Sequence, residues 1–538
     1  MLSSVKPFDG MDGTLINIKS MTKHEDMPRH RVAVIGAGPG GLVAARYLLS
    51  EGLEPVLFEQ GKCIGGQWSG EPQQSGVWPS MRTNTSRIMT AFSDLPHEPG
   101  TPTYPSNQRM AEYLERYAEK FDLTRRVRLN TSVSEVRRDA DGGWIVKTAA
   151  DEERFEQVVV ASGRYNKPIL PDVPGLQSFT GSGGVNHAFA YKHPEQFLGL
   201  RVLVAGCSIS SLEIASDLAT SGAARVVVTN RRQRYVLPKL IAGVPTDHLA
   251  FTRFAALAGE CFPMEAMGAA MKEFVLGASG SPEQFGAIKP AENIFEAGLT
   301  QSQFFLPLVA EGRIAVKPWI ESVDGQTVHF SDGTSEVFDA VLFGTGYALD
   351  LPFLSIEIRA ALNADAQHLD LFNFTFSPEL PGLAFLGLLE VVGPYYPVLE
   401  LQARWIAYTM SGSQPTPSVA EMDAGIAAYR ARRGGPQALP NHVAAILFSR
   451  AAGVEPELAR WPELTRAFLF GPLSAVSFRM SGHDSLADAA ERYADEIQAF
   501  GCMPSHELSP MQSAQLHALA DARGDEAFRR HIAAVAPA

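Results

Sequence analysis

The feature that most constrains this chain is a glycine turn set between a strand and a helix, and it occurs twice. Arg31-Val-Ala-Val-Ile is a short apolar run of β-formers, followed at once by Gly36-Ala-Gly38-Pro-Gly-Gly41. A helical pattern comes next (Leu42, Val43, Ala44, Ala45, Tyr47, Leu48, Leu49), then Gly52 and the strand Pro55-Val-Leu-Phe-Glu59. In such a GxGxxG turn Gly36 permits the tight bend, Gly38 lets a pyrophosphate approach the backbone, and Gly41 lets helix and strand pack closely. The helix N-terminus then turns its partial positive charge to the phosphates. Glu59 stands where a carboxylate accepts hydrogen bonds from ribose hydroxyls.

The second copy starts 170 residues later. Arg201-Val-Leu-Val-Ala-Gly206 leads into a helix expected over residues 211–220, then Gly222 and the strand Arg225-Val-Val-Val-Thr229. Each copy is a βαβ unit, hence part of a parallel sheet. The fold class is therefore α/β, with two Rossmann-like dinucleotide-binding domains, the second inserted into the first.

The two turns differ in a readable way. The second is Gly206-Cys-Ser208-Ile-Ser210-Ser211, with serines for the later glycines. Small residues keep the approach open, and hydroxyls can bond phosphate oxygens. Glu59 lies 23 positions beyond Gly36, whereas 23 beyond Gly206 is Thr229, followed by Asn230, Arg231, Arg232, Gln233 and Arg234. An acid would repel a 2′-phosphate and Arg can pair with it bidentately. The first site thus suits FAD, with its free 2′-hydroxyl, and the second suits NADP.

Two such sites in one chain imply a flavin reduced by a nicotinamide. The four cysteines (Cys63, Cys207, Cys261, Cys502) include no CxxC, which excludes a dithiol redox partner for the flavin and points to a reducing, cytoplasmic setting. A flavin monooxygenase needs no protein redox group. A net charge of −13 argues against a nucleic-acid partner. No run of about 18 apolar residues exists to span a membrane. His187 and His193 have no cysteine nearby, so no metal is expected. Residues 1–30 read as a flexible extension. The expected division is 31–178 for the first part of the FAD domain and 179–335 for the NADP domain with a helical insertion. Residues 336–538 would be the second part of the FAD domain and a C-terminal helical segment.

Between and after the turns the chain resembles the class B flavoprotein monooxygenases, specifically the flavin-containing monooxygenases of the nitrogen- and sulfur-oxygenating branch. Their fingerprint FxGxxxHxxx(Y/F) is matched by Gly183, His187 and Tyr191 at the right spacing, with Phe179 two positions early. Lys192 follows where the Baeyer–Villiger fingerprint has proline. Gly344-Thr-Gly346-Tyr347 looks like the family's ATGY, with Gly344 in place of its alanine. Arg82-Thr83-Asn84-Thr-Ser86 matches the loop that brings an Asn to the flavin. Glu400-Leu-Gln402-Ala-Arg404-Trp405, Phe470-Gly-Pro and Arg479 look like its C-terminal segments.

The resemblance implies an FAD enzyme that takes hydride from NADPH and adds O₂ at flavin C4a. The resulting (hydro)peroxyflavin passes one oxygen atom to an amine nitrogen or a sulfide sulfur. It implies Asn84 as the catalytic residue. Cofactor contacts are expected from Gly36, Gly38, Gly41, Glu59, Gly66, Gln67, Trp68, Thr83 and Gln402 for FAD. Gly206, Ser208, Ser210, Ser211, Arg231, Arg232, Gly346 and Tyr347 complete the expected set. Baeyer–Villiger oxidation of ketones and a largely uncoupled NADPH oxidase remain open as alternatives, and a homodimer is allowed for.

Overall fold

The computed structural model describes residues 30–71, 74–435, 438–503 and 505–536; the extension expected over residues 1–30 lies, apart from His30, outside them. The strands of the two parallel sheets and of the link between them are, in chain order, β1 (Arg31–Ile35), β2 (Glu54–Phe58), β3 (Val127–Arg128), β4 (Gln157–Val160), β5 (Lys167–Pro168) and β6 (Gly184–His187). They continue as β7 (Arg201–Ala205), β8 (Arg225–Asn230), β9 (Ile314–Pro318), β10 (Ala340–Phe343), β11 (Tyr347–Ala348) and β12 (Leu383–Phe385). Three helices matter most: α1 (Pro39–Ser50), α2 (Ile209–Thr220) and α3 (Tyr396–Ser411).

Among the described residues the two sheets share one plan. The first runs β12-β4-β1-β2-β3 and the second β6-β10-β7-β8-β9. Every neighbouring pair is parallel. In each, the chain leaves the central strand to one side and returns on the other. The order therefore reverses beside the glycine turn, which is where open α/β sheets bind ligands.

Both faces of each sheet are buried, as parallel sheets require. Val32 and Val34 point into the core shared with α1 and α3, while Ala33 and Ile35 point to the opposite core. Val202 and Val204 face α2, and Leu203 and Ala205 face the other side. Phe92 and Tyr396 belong to the first of these cores and are 1% and 4% exposed, so packing is their role.

The second sheet takes in residues 340–343. β10 pairs with β7 and β6, so it completes the second sheet and does not begin the return to the first domain. The return crossing is β11, which pairs antiparallel with β5, Tyr347 opposite Pro168 and Ala348 opposite Lys167. The two passages between domains thus run side by side. The C-terminal segment is helical and is pinned to the first sheet's core by Arg479. Its guanidinium donates to Tyr47 Oη (2.6 Å), Ser93 Oγ (2.8 Å) and Asp94 Oδ1 (3.1 Å). Glu400 of α3 accepts from Tyr47 Oη (2.8 Å) and Ser93 N–H (2.7 Å). Removing one member of such a buried network costs about 3–5 kcal/mol, because its partners stay buried and unpaired.

Candidate functional site: two glycine cradles and the Asn84 turn

The first cradle is built by strict steric need. Gly36 has φ +105°, and a Cβ there would meet the Ala161 carbonyl oxygen at 2.6 Å. A Cβ on Gly41 would lie 1.9 Å from the Gly36 carbonyl oxygen, so only glycine lets α1 start this close to β1. Gly38 is the N-cap residue of α1 and offers no side-chain cap, and the first turn of α1 carries no acid. Its N–H groups and dipole are thus left for an anion. Glu59, buried at the end of β2, accepts from the N–H of Ala37 (2.8 Å) and of Gly61 (2.7 Å). A carboxylate has lone pairs to spare beyond these two bonds.

A second glycine turn backs onto the first. Gly65 and Gly66 have φ of +112° and +56°, and Gly65 N–H donates to the Ala37 carbonyl (2.9 Å). A Cβ on Gly66 would come within 3.0 Å of Gly38 Cα. Gln67 ties this turn to the domain crossing: its amide nitrogen donates to the carbonyls of Tyr165 (3.2 Å) and Gln74 (3.3 Å), and its oxygen accepts from Gly76 N–H (2.8 Å). Trp68 packs half-buried on the first core.

The second cradle repeats the first with the sizes exchanged. Gly206 has φ +134°, and a Cβ there would meet the Gly344 carbonyl oxygen at 2.6 Å, the counterpart of Ala161. The first copy combines Gly41 with Ala161; the second combines Ser211 with Gly344. Ser211 Oγ lies where a Gly344 side chain would go, only 2.0 Å from its ideal Cβ. This is why the ATGY-like motif has Gly344 for alanine. Ser208 and Ser211 both donate to the Gly344 carbonyl (3.3 Å each), and Ser211 is wholly buried. These two hydroxyls are turned onto the Gly344 carbonyl. Ser210 is half-buried. Ser208 caps α2 without a side-chain bond to its N–H groups, and the first turn of α2 is also free of acids.

Beyond β8, Arg231 and Arg232 are exposed. The Arg231 guanidinium lies 4.6 Å over the ring of Trp319, just after β9. Trp319 was not foreseen: the short run Ile-Ala-Val-Lys-Pro does not announce a strand, so nothing pointed to the residue at its end. Gly346, at φ +88°, is exposed, and Tyr347 sets its ring edge-on to His187 (5.1 Å) and Tyr165 (5.6 Å) at the crossing. Burial pushes the Tyr347 phenol up to about 12. Gln402 lies inside the fold. It is 0% exposed, and its amide is spent on Gly387 N–H (2.9 Å), Thr375 Oγ1 (2.8 Å) and the Phe385 carbonyl (3.1 Å), so it fixes the Gly387 bend from within.

The Asn84 turn is held on both flanks. Thr83 is buried; its N–H donates to the Pro105 carbonyl (2.9 Å) and its Oγ1 to the Thr85 carbonyl (2.8 Å). Ser86 N–H donates to Asp247 Oδ2 (2.6 Å), and Ser86 Oγ is 3.0 Å from His248 Nε2. Asn84 Oδ1 itself is buried with no hydrogen-bond partner among the described residues. A buried amide oxygen in that state is expensive unless a group that is not part of the chain completes it.

The Flavin-binding monooxygenase-like (FMO-like) family model matches residues 29–494. The chain belongs to that family. This monooxygenase is 32% identical over 482 residues to the dimethylaniline monooxygenase (N-oxide-forming) 2 of Rattus norvegicus, covering 84% of this chain and 89% of the relative. It is 30% identical to flavin-containing monooxygenase 2 of Homo sapiens with the same coverage. In fold it is similar to the S-allyl-L-cysteine S-oxygenase of Allium sativum (TM-score 0.59, 23% identity, 93% of this chain and 99% of that one). It is also similar to closed cyclohexanone monooxygenase (TM-score 0.59, 20% identity, 79% and 98%).

The monooxygenase uses FAD and NADPH, and the two cradles fit two dinucleotides. Each offers an uncapped helix N-terminus without a first-turn acid, behind a glycine that admits no side chain. No helix among the described residues is long and apolar enough to cross a membrane. No group of three or more metal-ligating side chains occurs among them either.

Proposed function

We propose that this chain catalyses substrate + O₂ + NADPH + H⁺ → oxygenated substrate + NADP⁺ + H₂O, the substrate being a soft nucleophile, an amine nitrogen or a sulfide sulfur. The relatives named for N-oxide formation and S-oxygenation support that substrate class. Lys192, standing where the ketone-oxidising fingerprint has proline, agrees with it. Its ammonium donates to the carbonyls of Ser75 (2.6 Å), Phe189 (3.0 Å) and Val77 (3.2 Å), a tie across the domains that a proline lacks.

Gly36, Gly38, Gly41 and Glu59, with the Gly65-Gly66 turn, would hold FAD. Gly206, the α2 N-terminus and Arg231 would hold NADPH, with Arg231 on the 2′-phosphate. Bound FAD, reduced by NADPH, supplies the oxygen-activating chemistry. The chain's own contribution is positioning and exclusion of water. By the family likeness Asn84 faces the flavin and keeps its neighbours in register during oxygen transfer.

The observation that carries this reading is the buried Asn84 Oδ1, which has no hydrogen-bond partner among the described residues. Its test is the ratio of product formed to NADPH consumed. Losing one fixed contact to developing charge typically lowers the assisted step by about 10²–10³. Asn84→Ala and Asn84→Asp should therefore still oxidise NADPH while most O₂ leaves as H₂O₂ (O₂ + NADPH + H⁺ → H₂O₂ + NADP⁺). Full coupling in both variants would reduce Asn84 to a turn residue.

A further inference from the structure

The 83–86 turn is gripped from outside by a pair of residues that the reaction as described does not use. Asp247 and His248 open a short helix (Asp247–Ala250) in the insertion that follows β8, and they are 2% and 0% exposed. Both reach one residue, Ser86, two positions after Asn84: the carboxylate accepts its N–H, and the imidazole Nε2 shares a hydrogen bond with its hydroxyl. Asp247 Oδ1 and His248 Nδ1 have no partner among the described residues.

Burying a carboxylate here is costly. Burial raises the Asp247 carboxyl to about 7, with the Ser86 N–H and other amides pulling the other way. A neutral residue of the same shape would avoid that cost, and structural packing alone gives no reason for the charge.

The pair also connects to the second cradle. Thr246 N–H donates to the Lys239 carbonyl (2.9 Å), and Lys239 Nζ bonds Glu213 of α2 (2.9 Å). Tyr104 Oη donates to the same Lys239 carbonyl (2.5 Å). A chain of direct contacts therefore runs from the helix at the NADP cradle to the Asn84 turn.

We propose that Asp247 and His248 are positioning residues for oxygen transfer: through Ser86 they hold the turn that aims Asn84, and through Lys239 and Glu213 they tie that aim to the NADP cradle. The proposal rests on the reading of Asn84 given above. The ionisable groups around the pair are Tyr104 on one side, Arg87 on the turn and Cys502 from the C-terminal segment. Burial pushes the tyrosine and the thiol up, Cys502 to about 11, and pushes His248 down to about 4. Near neutrality Asp247 is thus the member of the group that changes charge. An ionised carboxylate accepts the Ser86 N–H bond more strongly than a protonated one. The fraction of NADPH turned into product should therefore rise as pH passes upward through about 7.

The test uses the FAD-loaded enzyme with a sulfide substrate. Product and H₂O₂ per NADPH are measured from pH 6 to 9 for wild type, Asp247→Asn, His248→Gln, Ser86→Ala and the double variant His248→Gln/Ser86→Ala. The expected result is that Asp247→Asn keeps NADPH oxidation within about threefold but loses the inflection in coupling. His248→Gln and Ser86→Ala should each lower coupling, and the double variant should be no worse than the worse single one, since both remove one bond. An unchanged profile in Asp247→Asn, or additive losses in the cycle, would overturn the proposal. Should Asp247→Asn fail to hold FAD, the cycle decides alone. If Asn84→Asp uncouples and these variants do not, this inference fails while the function stands. If the wild type makes no oxygenated product, the function itself fails.

Discussion

Gly344→Ala probes the second cradle at the point where it departs from the first. A Cβ at Gly344 would lie 2.0 Å from Ser211 Oγ, 3.2 Å from its Cβ and 3.4 Å from its Cα. The hydroxyl has to swing away, and because Ser211 is 0% exposed it gains no water in exchange. A buried hydroxyl stripped of its partner costs about 1–3 kcal/mol. The tight approach to Ser211 Cβ adds roughly 1 kcal/mol, the low end for over-packing. Ser211 sits in the first turn of α2, so the strain falls where the NADP phosphates would bind. About 2 kcal/mol felt at that site corresponds to roughly 30-fold in affinity. The assay is titration of the FAD-loaded protein with NADP⁺, followed by the flavin spectrum, with FAD content as the internal control. Gly344→Ala should weaken NADP⁺ by about 10–30-fold and leave FAD in place. Adding Ser211→Gly installs the Gly-with-Ala pairing of the first cradle and should restore binding to within about threefold. Wild-type affinity in the single variant, or a double variant no better than the single, would refute the size-exchange explanation.

Arg231→Ala should weaken NADPH by roughly 10–150-fold, as expected for a charge-assisted bond of ~1.5–3 kcal/mol, and leave NADH almost unchanged; Trp319→Ala should show the same selectivity with a smaller loss, and the KM values for the two cofactors check both. Asp247→Asn should raise the melting temperature at pH 8 but not at pH 4. The folded Asp247 carboxyl titrates near 7, above its ordinary 3.8, so its favourable share of stability is complete below about 3.8 and is lost as pH rises through 7. The upper limit is about 4 kcal/mol from roughly three pH units, and thermal unfolding at the two pH values measures it.

The sequence carried the fold well because its strongest signals are steric. Gly36, Gly41 and Gly206 are glycines for reasons any chain of this topology must obey, and the strand–turn–helix context around them is local. Strands buried on both faces read as plain apolar runs, which is why the run before Gly344 could be seen but not assigned to its sheet. The partner of β10 lies more than a hundred residues away. The same distance hid the cause of the serine substitutions. Ser211 and Gly344 make sense only as a pair, and neither has a periodic neighbour to reveal it. Gln402 stands out in the sequence only through the family resemblance, and its buried amide bonds across the chain to Gly387 and Thr375, contacts that no local pattern announces. Asp247 and His248 lie among short, irregular elements with no spacing code, so only their common grip on Ser86 discloses them.

The most direct measurement is product analysis under ¹⁸O₂. The FAD-loaded enzyme is given NADPH and, in turn, a tertiary amine, a sulfide and a ketone. One ¹⁸O atom should appear in the N-oxide or sulfoxide and the other in water, with close to one NADPH consumed per product. Unlabelled product, an ester or lactone from the ketone as the main oxygenated species, or H₂O₂ in place of product with every substrate would contradict the proposed reaction.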